Sequence, residues 1–186
     1  MPAILILPPA AEPLSLAEAK AWLRISHDDE DALVQSLLSS ARIQAEAQTR
    51  RALMTQRWRI VLDRWPVSGK ISAPVTPLRA LVAARVRNMA GEAETLDTDL
   101  FMLNAASAPG EIVFDAGRVV HPGQLAAGIE IDIEAGYGAA ADVPADFKQA
   151  IRLLLTRAYE NRDPSGDDGL PPAVSALLAP HRVVSL

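Results

Sequence analysis

The sequence predicts an α+β fold: a small helical bundle of two N-terminal helices and one helix from the C-terminal region, a β-rich insertion between them, and a C-terminal arm. Three observations carry this. Apolar residues recur at helical spacing through residues 14–53 and again through 144–162, alternation and turn residues dominate 55–136, and beyond Arg162 the composition shifts to Pro, Gly and Asp. The chain is read as one domain, residues 1–186, divided at those positions with the arm spanning 163–186. At 186 residues and 49% hydrophobic content it has material for a real core, one burying on the order of 70% of the unfolded surface.

The opening PAILILPPA is apolar but short, lacks a basic flank and is broken by Pro8 and Pro9, so it reads as neither signal peptide nor anchor. No later run approaches the roughly 20 apolar residues of a membrane span. LSLAEAKAWLRI follows, where Ser15 and Glu18 have the spacing of a capping box and predict a helix over residues 16–25. Leu16, Ala19, Leu23 and Trp22 share its apolar side, with Glu18 and Lys20 turned outward. The acidic run Asp28, Asp29, Glu30, Asp31 sits where a second helix, 29–51, should begin, since carboxylates there complement the unpaired N–H groups and the macrodipole. Leu33, Leu37, Ala41 and Ala45 step by four along it beside Val34, Leu38 and Gln48, and Arg50 and Arg51 fall in its last turn.

RWRIVLDRW, residues 57–65, alternates Trp58, Ile60 and Leu62 with Arg57, Arg59, Val61 and Asp63, the period of a strand, and a turn follows at Ser68 and Gly69. A proline-interrupted edge through Ile71, Pro74 and Pro77 leads to a hairpin about Ala90 and Gly91. FMLNAASAPGEIVFDAG holds two short strands around a loop at residues 107–110. Ile129, Ile131 and Ile133 alternate with Glu130, Asp132 and Glu134, a half-buried strand with a solvated acidic face, and Gly136 and Gly138 end it. Pro144 suits the first turn of a helix whose stripe is Phe147, Ile151, Leu154, Leu155 and Ala158. The tail, with Val174, Leu177, Leu178, Val183, Val184 and Leu186 around its prolines, either packs back on its own subunit or docks as an arm on a neighbour.

There are no cysteines, which excludes disulfides and thiolate metal sites and fits assembly in a reducing cytoplasm. A net charge of −5 argues against a protein that grips nucleic acid, because such affinity is built on phosphate neutralisation. GYGAAA formally satisfies a dinucleotide-binding turn, but no second strand ending in an acidic residue follows. His27, His121 and His181 lie far apart and lack zinc-helix spacing. Asp163, Asp167, Asp168 and Gly169 fail the ligand spacing of a calcium loop. Neither G-x-S-x-G nor a Walker loop is present. No catalytic, cofactor or metal residue is therefore assigned, and a carboxylate-based hydrolase is kept only as an alternative.

Three stretches resemble the small head-tail connector, or adaptor, proteins of tailed phages and gene transfer agents: LSLAEAKAWLRISHDDEDALVQSLLSSARIQAEAQTRRAL, then TQRWRIVLDRWP, then AGYG with VPADFKQAIRLLLTRAYENR. Together they cover about two thirds of the chain in the family's order; residues 67–127 match only in kind. The resemblance implies a structural protein of a virion neck, made in a bacterial cytoplasm, that forms a ring, expected to be a dodecamer, between the portal protein and a tail-side stopper or tail-terminator protein. DNA would pass through the channel without sequence-specific binding, past an acidic wall that does not hold it. No membrane partner is implied. A tail-completion or stopper protein of the same particle is the alternative within that setting. Members use their C-terminal segment towards the portal, which would fall here to Leu177, Leu178, Val183, Val184 and Leu186. Arg42, Arg50, Arg51, Arg152 and Arg157 are expected to project from the helices, either on a solvated face or in ion pairs with Glu130, Asp132 and Glu134 of a neighbouring subunit, since a ring needs a heterologous contact.

Overall fold

The computed structural model describes residues 3–161 and 169–183. In chain order it contains β1 (Ala3–Leu7), α1 (Leu16–Leu23), α2 (Asp31–Thr49), β2 (Gln56–Leu62), β3 (Lys70–Ser72), β4 (Leu78–Arg87), β5 (Ala93–Leu96), β6 (Phe101–Asn104), β7 (Glu111–Phe114), β8 (Ile129–Ala135), α3 (Ala145–Glu160) and α4 (Pro172–Leu178). The mixed helix and sheet class is as expected. The chain forms two compact units. One is built from residues 3–9 and 55–136 and holds every strand; the other is built from 10–54 and the described residues after 136 and holds every helix longer than a single turn.

In the sheet unit, a five-stranded antiparallel sheet runs β1-β2-β8-β4-β5 and a three-stranded one runs β3-β7-β6. The alternation read from sequence sets their faces. Ile129, Ile131 and Ile133 of β8 are fully buried with Ile60 and Leu62 of β2, Ala84 and Val86 of β4, and Ile112 and Phe114 of β7. Trp65, Phe101 and Phe114 pack tilted together, with Trp65 and Phe114 centroids 4.9 Å apart. Three turns match the sequence reading. The β4–β5 hairpin turns about Ala90 and Gly91, closed by Gly91 N–H to Asn88 O; β6 and β7 flank the loop at 107–110; and Gly69 takes φ +66°. A Cβ on Gly69 would stand 2.6 Å from Phe114 O, so this position accepts glycine alone without rearrangement. Strand β1 was not expected: its flanking prolines and five-residue length hid it, and it pairs with β2 as an edge.

In the helical unit the Ser15–Glu18 capping box forms, each side chain meeting the other's backbone N–H. Helix α1 ends at Leu23 because Arg24 adopts a left-handed conformation, φ 60°. Lys20 does not point outward as expected; it ion-pairs with Asp28 and, at 2.6 Å, with Asp31. The acidic run thus binds a lysine, and Glu30 at the N-cap of α2 caps nothing with its side chain. The buried stripe of α2 is Val34, Leu38, Ala41 and Ala45, rotated from the predicted line, so that Leu33 is exposed. Arg50 and Arg51 lie beyond the last turn, with Arg50 as the left-handed C-cap. Helix α3 buries Phe147, Ala150, Ile151, Leu154 and Leu155, and joins Leu14, Leu38, Leu53, Val174 and Leu178 in one core. The fourth helix, α4, is an addition to the predicted bundle.

Candidate functional site

The densest polar array lies on the face of the five-stranded sheet opposite its core. Arg57 and Arg59 on β2 stand directly across from Glu134 and Asp132 on β8, and Arg85 on β4 stands across from Glu130. Arg59 grips Asp132 with two hydrogen bonds of 2.6 and 2.9 Å, and Arg85 adds a third at 2.7 Å. Arg87 donates to Glu130 at 2.6 Å, Arg59 lies 3.1 Å from the same carboxylate, and Arg57 donates to Glu134 at 3.1 Å. Asp132 is 4% exposed, which corrects the expected solvated acidic face. Burial pushes the Asp132 carboxyl up, but hydrogen bonds from Arg59 and Arg85 outweigh it and hold the group below the usual carboxylate range. Arg59 is correspondingly raised, chiefly by its hydrogen bond to Asp132. Sequence carried the signal for this ladder, since Arg57/Arg59 and Arg85/Arg87 alternate with the same period as Glu130/Asp132/Glu134.

Of the arginines considered for a neighbour's acids, Arg51, Arg157 and Arg152 have partners in the helical unit. Arg51 Nε donates to His181 O at 2.6 Å, Arg157 donates to Gly169 O, and the Arg152 guanidinium sits 5.7 Å from the centre of the Trp22 ring. Arg42 does not project as expected: it is 7% exposed, held in by Glu12 at 2.7 Å and Glu46 at 2.6 Å. Glu130, Asp132 and Glu134 are neutralised by arginines of their own sheet.

The described residues 172–183 pack on their own unit. Val174 and Leu178 are buried in the core formed with α2 and α3, and Leu177 packs against it partly buried. The His181 ring lies 4.6 Å from that of Phe147, with Nε2 3.2 Å from Asp146 Oδ2, and Val183 N–H donates to Thr49 O at 3.1 Å. Leu178 thus faces the core of its own unit. Val184 and Leu186 lie outside the described residues, as do Asp163, Asp167 and Asp168.

The remaining motifs that fall among the described residues take local structural places. Gly136 and Gly138, both at φ 128°, give the strand exit that GYG requires, and Tyr137 then packs on Phe147. His27 lies 3.5 Å from Asp29 at the surface. Among the described residues no group of three or more His, Asp or Glu side chains is placed to hold a metal ion, and no helix is long and apolar enough to cross a membrane. An open hollow of about 410 Å³ is lined by Asp63, Arg64, His121, Pro122, Gln124 and Leu125. The carboxylates with displaced titration, Glu18, Asp28 and Asp132, all move down, as ion pairs and capping bonds require; a general acid would be raised. The arrangement is suited to holding shape and presenting surface.

Comparison with known proteins points the same way. Residues 13–102 match the family model of phage gp6-like head-tail connector proteins. A chain from the neck of an empty gene transfer agent particle, computed with C6 symmetry, superposes with a TM-score of 0.86 at 26% identity, covering 100% of this chain and 97% of that one. A chain from the virion of a native gene transfer agent particle gives 0.83 at 26% identity over 100% and 97%. One from the neck of a native particle, computed with C12 symmetry, gives 0.73 at 26% identity over 98% and 97%. No curated protein sequence matches.

Proposed function

We infer that this chain, which belongs with the phage gp6-like head-tail connector proteins through residues 13–102, is a structural adaptor of a virion neck. The observation that carries the reading is its end-to-end likeness to a neck chain of a gene transfer agent particle. Neck structures of sixfold and twelvefold symmetry support a ring of identical subunits, of which a dodecamer is the expected form. Such a ring stands between the portal protein and a tail-side stopper or tail-terminator protein. Its net charge of −5 suits a conduit through which DNA slides without being held. The paired charges and downward-shifted carboxylates support a scaffold with no catalytic step.

Portal contact falls to the C-terminal segment in this reading. With Leu178 buried, Leu177 and Val183 are the members of this set that are partly accessible among the described residues, and Val184 and Leu186 keep their place in the proposal from the sequence. Ion pairs from Arg50, Arg51, Arg152 and Arg157 to a neighbour's Glu130, Asp132 and Glu134 would add to the arginines those acids already hold, with Glu134 the most exposed of the three. Co-sedimentation of the purified chain with portal particles tests the reading. Binding that is lost on deleting residues 184–186 supports the tail contact, and binding that survives their deletion removes that assignment while leaving the adaptor.

A further inference from the structure

We propose that β1 is an inter-subunit strand whose open edge is covered in the ring by a second copy of this chain. The proposal rests on the neck-ring reading and adds the surface that closes it. Strand β1 pairs with β2 on one side, and among the described residues no strand lies on its other side. Among the described residues, alternate N–H and C=O groups of Ala3–Leu7 therefore point outward without a strand partner, the template on which another chain adds. Its side chains are equally uncommitted. Ile4, Leu5, Ile6 and Leu7 are 52, 42, 40 and 52% exposed, and none belongs to either hydrophobic core.

Edges that must stay free carry charges, a proline or an inward-pointing polar residue. Between Ala3 and Leu7 there is none; Pro8 and Pro9 begin only where the strand ends. A strand this apolar that contributes to no core of its own gains by burial only when another surface reaches it. In a ring of identical subunits that surface is present on every neighbour at the same height and distance. Pairing of β1 with β1 about a twofold axis would close a dimer and stop, so the ring contact is heterologous. The same sheet supplies an unlike second edge: β5, at its far side, leaves Ala93, Glu94 and Thr95 exposed. An open sheet with two different free edges is the form a head-to-tail contact needs.

The test uses the full-length chain assembled on portal particles, with a benzoylphenylalanine photo-cross-linker at Ile6. The expected result is a ladder of cross-links between copies of this chain, found in the portal-bound fraction and absent from free subunit. Cross-links to the portal, to a tail-side protein or to the chain's own residues 170–186 would overturn the proposal. A second variant, Ile4→Glu with Leu7→Glu, places carboxylates opposite Arg59 and Arg57 of its own sheet and so suits the isolated fold. Its portal-bound ring yield should fall about tenfold, with circular dichroism unchanged, because two charges then sit at a contact that must be dry. Unchanged yield counts against β1; should this variant fail to fold, the cross-link alone decides. A normal ring with β1 uncross-linked removes this inference and leaves the adaptor reading, whereas no association of the wild-type chain with any neck component removes both.

Discussion

Arg42 shows how single side chains hold the helical unit together. Its guanidinium bridges Glu12, in the segment before α1, to Glu46 on its own helix, whose other oxygen accepts the Leu53 N–H at 2.8 Å. Arg42→Ala leaves two largely buried carboxylates without their cation, and should cost about 3–5 kcal/mol in urea unfolding. Arg42→Ala with Glu12→Gln should recover part of that loss, because the stranded charge is then removed; full additivity of the two changes would contradict the pairing. The titrating acids give a second prediction. Glu18, Asp28 and Asp132 are depressed when folded, so their stabilisation is fully present above the unfolded carboxylate values of about 3.9–4.3 and is lost as pH falls through their lower folded values. Stability should therefore drop on acidification below about pH 4, and Asp132→Asn should flatten that drop. An acid limb identical in wild type and Asp132→Asn would show that Asp132 is not held by its arginines.

At the scale of elements, local signals and tertiary ones separate. The Ser15 capping box, the Gly91 hairpin and the isoleucine alternation of β8 were legible because each is decided by neighbours in sequence. Ser15→Ala should accordingly cost about 0.5–2 kcal/mol. What was not legible depended on distant partners. Lys20 looked solvated because Asp28 and Asp31 approach it only when the chain turns after α1, and the acidic face of β8 looked solvated because Arg57, Arg59, Arg85 and Arg87 arrive from two other strands. Helix α4 was missed because three prolines disguise a seven-residue segment whose Val174 and Leu178 fit the α2–α3 core. Leu178→Ala should cost about 2–5 kcal/mol and speed amide exchange across α4. Unchanged exchange there would mean that α4 is not held by this packing.

For the whole molecule, an unequal division of commitment separates buried from available surface. The helical unit closes its core with its own C-terminal segment, and the sheet unit neutralises its charged face with its own arginines. An uncommitted apolar surface among the described residues is the edge strand β1, which suits a subunit whose work is to fit against copies of itself and against other parts of a particle. The function was legible through the order and spacing of fold-determining stretches; the contact surfaces were not, because a sequence shows which residues are apolar and not which are already spent. The most direct measurement is a cryo-electron microscopy reconstruction of the neck of the particle in which this chain is made. The account predicts a ring of this chain seated on the portal, around an open channel and below the tail-side protein. Density for the chain only within the tail, or particles with complete necks that lack it, would contradict the adaptor role.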